Sequence, residues 1–284
     1  MTYQRPLRSS GTYKQVHQIG VDVLAEAFRV QQPLLRVGLN LMMRSPAHDL
    51  ARTALQFDAR VAEHNTMREA SRWLIENWAS SIMVRGAERI PAVGPLIIVS
   101  NHPGMLDAMA IMGSLPRTDV RPIAKTRNLL QQLHHVQEQI ILVREEETIS
   151  TLRYTLRYLK DGGAVLTFPR GAIEPDPVLY PEAAQDILGQ WSDSLDLLVR
   201  RTPGAVVVPV AVGGVISQAA RKHPLARMYR QRDVRDYMAA TLQIIMPRYR
   251  GTDVRVMFGE PLRGDAATAT NACASVAKLL RSVV

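Results

Sequence analysis

The chain has a single cysteine, few aromatic residues (5%) and no apolar run of bilayer-spanning length. Each shortage excludes something. One thiol builds neither a disulfide framework nor a cysteine-rich zinc site, so a reducing compartment is expected. No motif of an activated nucleophile surrounds Cys273, which reads as a small core residue. Crossing a bilayer takes roughly 20 apolar residues. The longest candidate, 205–216, is Val-rich but carries Pro209, Gly213 and Gly214, the texture of a buried strand and turn. The opening MTYQRPLRSSGTYKQ is polar and basic and lacks the apolar stretch of a signal peptide. Scarce aromatics, with no zinc finger or helix-turn-helix pattern, argue against nucleic acid as the partner. The seven histidines show no ligand spacing: His134 and His135 are adjacent, and His48, His64 and His223 are isolated. No metal site is expected.

What is present is enough apolar material for a core, 46% of 284 residues, under a strongly basic balance of 35 Lys plus Arg against 26 Asp plus Glu. That field favours anionic partners such as phospholipid surfaces or acidic carrier proteins. Two textures divide the chain. Residues 1–80 read as helical, with Val16, Ile19, Val23, Ala27 and Val30 at helical spacing until Pro33 interrupts. A second helical stretch is expected from about Leu50 to Trp78. Between them PLLRVGLNLMMRSP is apolar with interspersed Arg, a helix packed on the body or one lying in a membrane interface.

From about residue 81 the pattern changes. Short apolar runs at 82–85, 96–100, 120–124, 140–143, 164–168, 205–212 and 254–258 alternate with amphipathic stretches near 105–114, 127–137, 148–160, 183–201, 217–241 and 266–282. The alternation predicts an α/β fold over 81–284: a mostly parallel central sheet flanked by helices, with the N-terminal helical segment packed on it.

Chemistry concentrates after two of the predicted strands. The run 96–100 delivers Asn101 and His102 to a turn with Pro103 and Gly104, and Asp107 follows five residues after the histidine. Across a strand–turn–helix corner that spacing can return a carboxylate to the imidazole. A carboxylate on one ring nitrogen fixes the tautomer and raises the basicity of the other, which is what a general base for a hydroxyl needs. Taken alone, the same residues also fit an ordinary helix start. The run 164–168 ends in FPRGAIEPD, where Pro169 and Gly171 force a turn whose backbone N–H groups can form an anion nest beside Arg170. In a parallel sheet both loops fall on one edge. Lys125, Arg127 and Arg144 stand at or just beyond other predicted strand ends, and four cations near a His/Asp pair suit a phosphate-bearing substrate.

These residues, in this order, resemble the glycerolipid acyltransferases, which include glycerol-3-phosphate and lysophosphatidic acid acyltransferases. The family's Asn-His-x4-Asp motif matches Asn101, His102 and Asp107, and VRGAERIPAVGPLIIVSNH leading into it is typical. Lys125 and Arg144 match the family's strand-end cations. The Phe-Pro-x-Gly turn matches Phe168, Pro169 and Gly171, VVPVAV matches a later strand, and VRVMFGEPL the closing one. The resemblance covers roughly 85–262.

It implies a fatty acyl transfer from acyl-CoA or acyl carrier protein to the hydroxyl of a phosphorylated glycerol or lysophospholipid-type acceptor. His102 would be the general base and Asp107 its orienting partner. No cofactor beyond the co-substrate is implied. No covalent acyl-enzyme is expected, since the sequence has no Gly-x-Ser-x-Gly elbow and no activated cysteine. A basic chain acting on lipids is expected to sit peripherally on the inner, cytoplasmic face of the membrane. The candidate substrate contacts are Asn101, Lys125, Arg127, Arg144, Phe168, Pro169, Arg170 and Gly171. Two departures leave the acceptor open: Arg170 and Arg127 stand where the family usually has Glu. Ala172-Ile173 also replaces the usual Thr-Arg, with Glu174 and Asp176 following. The competing class is a non-catalytic lipid- or acyl-carrier-binding protein on the same fold, for which an oriented base would be of little use.

Overall fold

All seven apolar runs become strands: β1 (Ala79–Arg85), β2 (Leu96–Ser100), β3 (Val120–Lys125), β4 (Ile141–Val143), β5 (Ala164–Thr167), β6 (Val206–Gly213) and β7 (Thr252–Phe258). They form one sheet in the order β1-β7-β6-β2-β5-β3-β4. Every pairing is parallel except β6 with β7. The computed structural model describes residues 12–28, 32–144 and 147–284. Val30, counted above in the first helix, lies outside them.

Strands β2 and β6 are buried at every position. A strand covered on both faces has no polar side to alternate with, which is why these two read as near-continuous apolar runs. Edge strand β1 is different, with Ile82, Met83 and Val84 all exposed.

The helices follow the expected pattern with breaks. Along the chain they are α1 (Tyr13–Ala27), α2 (Pro33–His64), α3 (Met67–Trp78), α4 (Asp107–Ser114), α5 (His134–Glu138), α6 (Thr148–Lys160), α7 (Pro181–Asp186), α8 (Ser194–Arg201), α9 (Gln218–Lys222), α10 (Pro224–Arg227), α11 (Arg232–Ile245) and α12 (Ala269–Leu280). The stretch expected over 127–137 supplies only a 3-10 turn and α5. The one over 183–201 divides at Trp191 into α7 with a 3-10 turn and α8. The one over 217–241 divides at Pro224, which has no N–H to continue α9 and holds His223 extended.

The N-terminal reading needs a larger correction. The apolar segment and the stretch beginning at Leu50 are one helix, α2, which runs through Pro46. Packing overrides the proline's cost: Val16 and Leu24 of α1 and Met43, Ala47 and Ala51 of α2 are buried together. A Cβ built on Gly20 would lie 3.3 Å from the Cβ of Ala47, so the helices touch closely there. The break falls instead at Asn65, in the left-handed region at φ 49°, and Thr66 caps α3 by accepting from the Arg68 N–H. Residues of α1–α3 join those of β2, β5, β6 and β7 in one continuous core, so the helical segment is docked on the α/β body. Helix α3 presses on α4 closely enough that a Cβ on Gly113 would stand 2.9 Å from the Arg72 nitrogen.

Candidate active site

Because β2, β5 and β6 run parallel side by side, their following loops meet on one edge, the usual ligand edge of such sheets. From β2, His102 turns its Nδ1 to Asp107 Oδ2 at 2.8 Å. Asp107 is fully buried at the first turn of α4, and the same oxygen accepts from the Gly104 N–H at 2.9 Å. Its other oxygen accepts from the Ala108 N–H. A carboxylate so held cannot swing away. With Nδ1–H donated to Asp107, the Nε2 lone pair is the free base, and no hydrogen bond engages it among the described residues. From β5, Phe168 stacks on the imidazole with ring centroids 4.4 Å apart and planes at 24°. The Asn-His-x4-Asp and Phe-Pro-x-Gly motifs thus meet in a single ring-on-ring contact.

Asn101 takes another part. It is buried, its Nδ2 donates to Val212 O and its Oδ1 accepts from Val212 N, both at 2.8 Å. The amide ties β2 to β6, so Asn101 fixes the strand end that carries His102.

The anion nest expected at 169–171 is not formed as anticipated. Pro169 has no N–H, and the Gly171 N–H closes the turn on Phe168 O at 2.9 Å. Gly171 has φ +66°, which suits glycine there. Arg170 folds back on the Ile173 carbonyl and on Gln190 Oε1. Sheet order separates the other cations from His102: β5 lies between β2 and β3, so Lys125 stands two strands away, roughly 10 Å, and Arg144 three. Lys125 and Arg127 are exposed, and Arg144 pairs with Glu147 at 3.3 Å. The cations line the edge outward from the imidazole and do not converge on it.

Two buried acids complete the site, and the sequence reading assigned neither a role. Asp176 is 1% exposed and accepts four backbone N–H groups: Val178 at 3.0 Å, Gly214 at 2.9 Å, Val215 at 2.8 Å and Ile216 at 3.1 Å. It thereby shapes the loop after β6, whose Val215 and Ile216 press on Gly104 beside His102. Glu174 is 4% exposed, its backbone N–H donates to His102 O at 2.7 Å, and its Oε1 accepts from Trp191 Nε1 at 3.0 Å. The hint in the sequence is Glu-Pro-Asp-Pro soon after the turn, two acids each followed by a proline.

Burial pushes the Glu174 carboxyl up to about 7, against the opposing pull of the Trp191 N–H and of His102. Burial also works against a charged His102, but Asp107, by charge and hydrogen bond, and Glu174 outweigh it, and the imidazole lies above its ordinary value. A carboxyl raised on folding favours the fold while protonated and opposes it once ionised. Its contribution is therefore lost as pH rises from the ordinary 4.5 through about 7. The Glu174→Gln protein is expected to gain on the order of 2 kcal/mol over wild type at pH 8 and nothing near pH 4. Thermal melts at the two pH values check this, and an equal shift at both contradicts it. Among the described residues no group of three or more His, Cys, Asp or Glu is placed to hold a metal ion.

Residues 81–213 match the family model described as Acyltransferase. No curated protein matches the chain. Among solved structures it is similar to the crystal structure of the 1-acyl-sn-glycerophosphate (LPA) acyltransferase, PlsC, from Thermotoga maritima. That likeness has 16% identity and a TM-score of 0.45, and covers 95% of this chain and 92% of the other.

Proposed function

We propose that this chain, an acyltransferase-family protein over residues 81–213, moves a fatty acyl group from a thioester to the hydroxyl of a phosphorylated glycerol or lysophospholipid-type acceptor. The donor is acyl-CoA or acyl carrier protein. The observation that carries the reading is the His102–Asp107 pair: a buried, twice-anchored carboxylate on Nδ1 and a free Nε2 on the ligand edge of the sheet. His102 Nε2 takes the proton of the acceptor hydroxyl as its oxygen forms a bond to the thioester carbonyl carbon. The C–S bond then breaks, and the imidazolium returns its proton to the departing thiolate. Asp107 holds the tautomer and stabilises the imidazolium. No serine or cysteine nucleophile is required. Lys125 and Arg144, with Arg127, supply the positive edge along which the acceptor's phosphate is held; Arg170, turned back into its own loop, contributes charge only at a distance.

The acceptor class is tested by product mass spectrometry with long-chain acyl-CoA and acyl carrier protein as donors. Glycerol 3-phosphate, lysophosphatidate and hydroxylated lipids without phosphate serve as acceptors. Acyl esters of the phosphorylated acceptors alone support the reading; esters of the neutral lipids alone overturn the role given to the cations.

Membrane attachment belongs to the same proposal. No helix of the described residues is long and apolar enough to cross a membrane. Helix α2 is anchored at its far end to the strand-start edge, where Thr66 Oγ1 donates to Thr118 O and Gln139 to Asn65. Its 32 residues span roughly 48 Å, far more than the strands, so its first half reaches well away from that anchor. That half bears Leu34 at 88% exposure, Met42 at 70%, Val37 and Leu41. Nearby, where Tyr229 OH donates to Phe28 O, the exposed Lys222, Arg227, Met228 and Arg230 add cations and a further apolar side chain. The expected partner is the anionic inner face of the cell membrane. Replacing Leu34 and Leu41 with Ser is expected to weaken sedimentation with anionic vesicles at least about tenfold. A wild-type protein that ignores such vesicles at low salt overturns this attachment.

A further inference from the structure

Glu174 and Asp176 share a loop and near-complete burial, yet they are satisfied very differently. Asp176 has four N–H donors on two oxygens. Glu174 has one, the Trp191 Nε1, and its Oε2 is buried with no hydrogen-bond partner among the described residues. An acid kept for architecture is expected to be paired as Asp176 is, because a buried unpaired carboxylate oxygen is costly. What Glu174 has in place of donors is His102, whose carbonyl its own backbone N–H holds at 2.7 Å. The loop therefore cannot move without moving the histidine's backbone.

We propose that Glu174 is a positioning residue for His102, a second buried carboxyl that exchanges its proton in step with the imidazole and sets the pH at which His102 becomes a free base. This rests on His102 being the general base. The groups that face the pair are few. His102 touches Asp107 and Phe168, and its carbonyl takes the Glu174 N–H; the Glu174 carboxyl touches Trp191, with the charges of His102 and Arg170 near enough to pull on it. Asp107 is fully buried and hydrogen-bonded through both oxygens. Glu174 is poised near neutrality by its burial. When ionised it supports the imidazolium that forms as the acceptor loses its proton; when protonated it withdraws that support.

The test is the Glu174→Gln variant, followed by NMR titration of the His102 ring and by the pH profile of kcat/KM. The His102 midpoint is expected to fall by about one pH unit, the acid limb of the profile to move with it, and KM for the thioester to stay unchanged. Glu174→Asp, which keeps the charge, is expected to stay close to wild type. Trp191→Phe removes the one donor while leaving both titrating groups, so the carboxyl midpoint should rise and that of His102 should fall. A His102 midpoint that does not move in Glu174→Gln or in Trp191→Phe overturns the proposal. The ring titration needs no turnover. If no acyl transfer is found, the reading of the function fails, while the NMR midpoints still decide the coupling.

Discussion

Replacing His102 with alanine is expected to lower acyl transfer by roughly 10³-fold, within the range usual for loss of a positioned general base. The melting temperature should change little. The side chain is partly open to solvent, and its ring makes one stacking contact, with Phe168, and one hydrogen bond, to Asp107. Removing it leaves the Asp107 carboxylate still holding the Gly104 and Ala108 N–H groups, so the turn keeps its shape. Asp107→Asn should show a related defect with intact geometry, because an amide can still bond Nδ1 but favours the wrong tautomer and cannot stabilise the imidazolium. A His102→Ala protein that turns over at the wild-type rate contradicts the role; one that is inactive only because it is unfolded is identified by its melt.

The second large effect is on stability. Asp176→Ala leaves the N–H groups of Val178, Gly214, Val215 and Ile216 without their acceptor inside the protein. Buried unsatisfied donors cost about 1–3 kcal/mol each, less where the loop relaxes, so a loss on the order of 4 kcal/mol is expected. In a chain of this size that lowers the melting temperature by roughly 10 °C. Asp176→Asn, which keeps one acceptor oxygen, should fall between. The loss reaches the site because Val215 and Ile216 pack on Gly104. Activity at a temperature where the variant remains folded should therefore also decline. An Asp176→Ala protein with an unchanged melt contradicts the account of this loop.

Much of this architecture is legible in the sequence. Strands β2 and β6 were visible because burial on both faces removes alternation and leaves plain apolar runs. The reversed direction of β7 was not visible, since a strand's residues do not encode which way its neighbour points. Helix boundaries failed where tertiary packing outweighed a local signal, as at Pro46 in α2, and where a local signal was underweighted, as at Pro224.

At the site, the His102–Asp107 contact followed from spacing within one corner of the chain. The part played by Asn101 did not, because its partner Val212 lies 111 residues away on β6. Glu174 and Asp176 stand in the sequence only as two acids following the turn; the burial of Asp176 depends on the loop after β6, whose N–H groups it takes. The cations were legible as strand-end residues, but their spread along the edge is set by β5 lying between β2 and β3, an order no run of residues announces.

The central claim is that His102 drives an acyl transfer, and acceptor-dependent thiol release tests it most directly. Wild type and His102→Ala are mixed with long-chain acyl-CoA or acyl carrier protein, with and without lysophosphatidate and glycerol 3-phosphate, above neutral pH. The account predicts thiol release by wild type only when an acceptor is present, and its loss in a variant that melts like wild type. Release that persists undiminished in His102→Ala, or that ignores the acceptor, would contradict it.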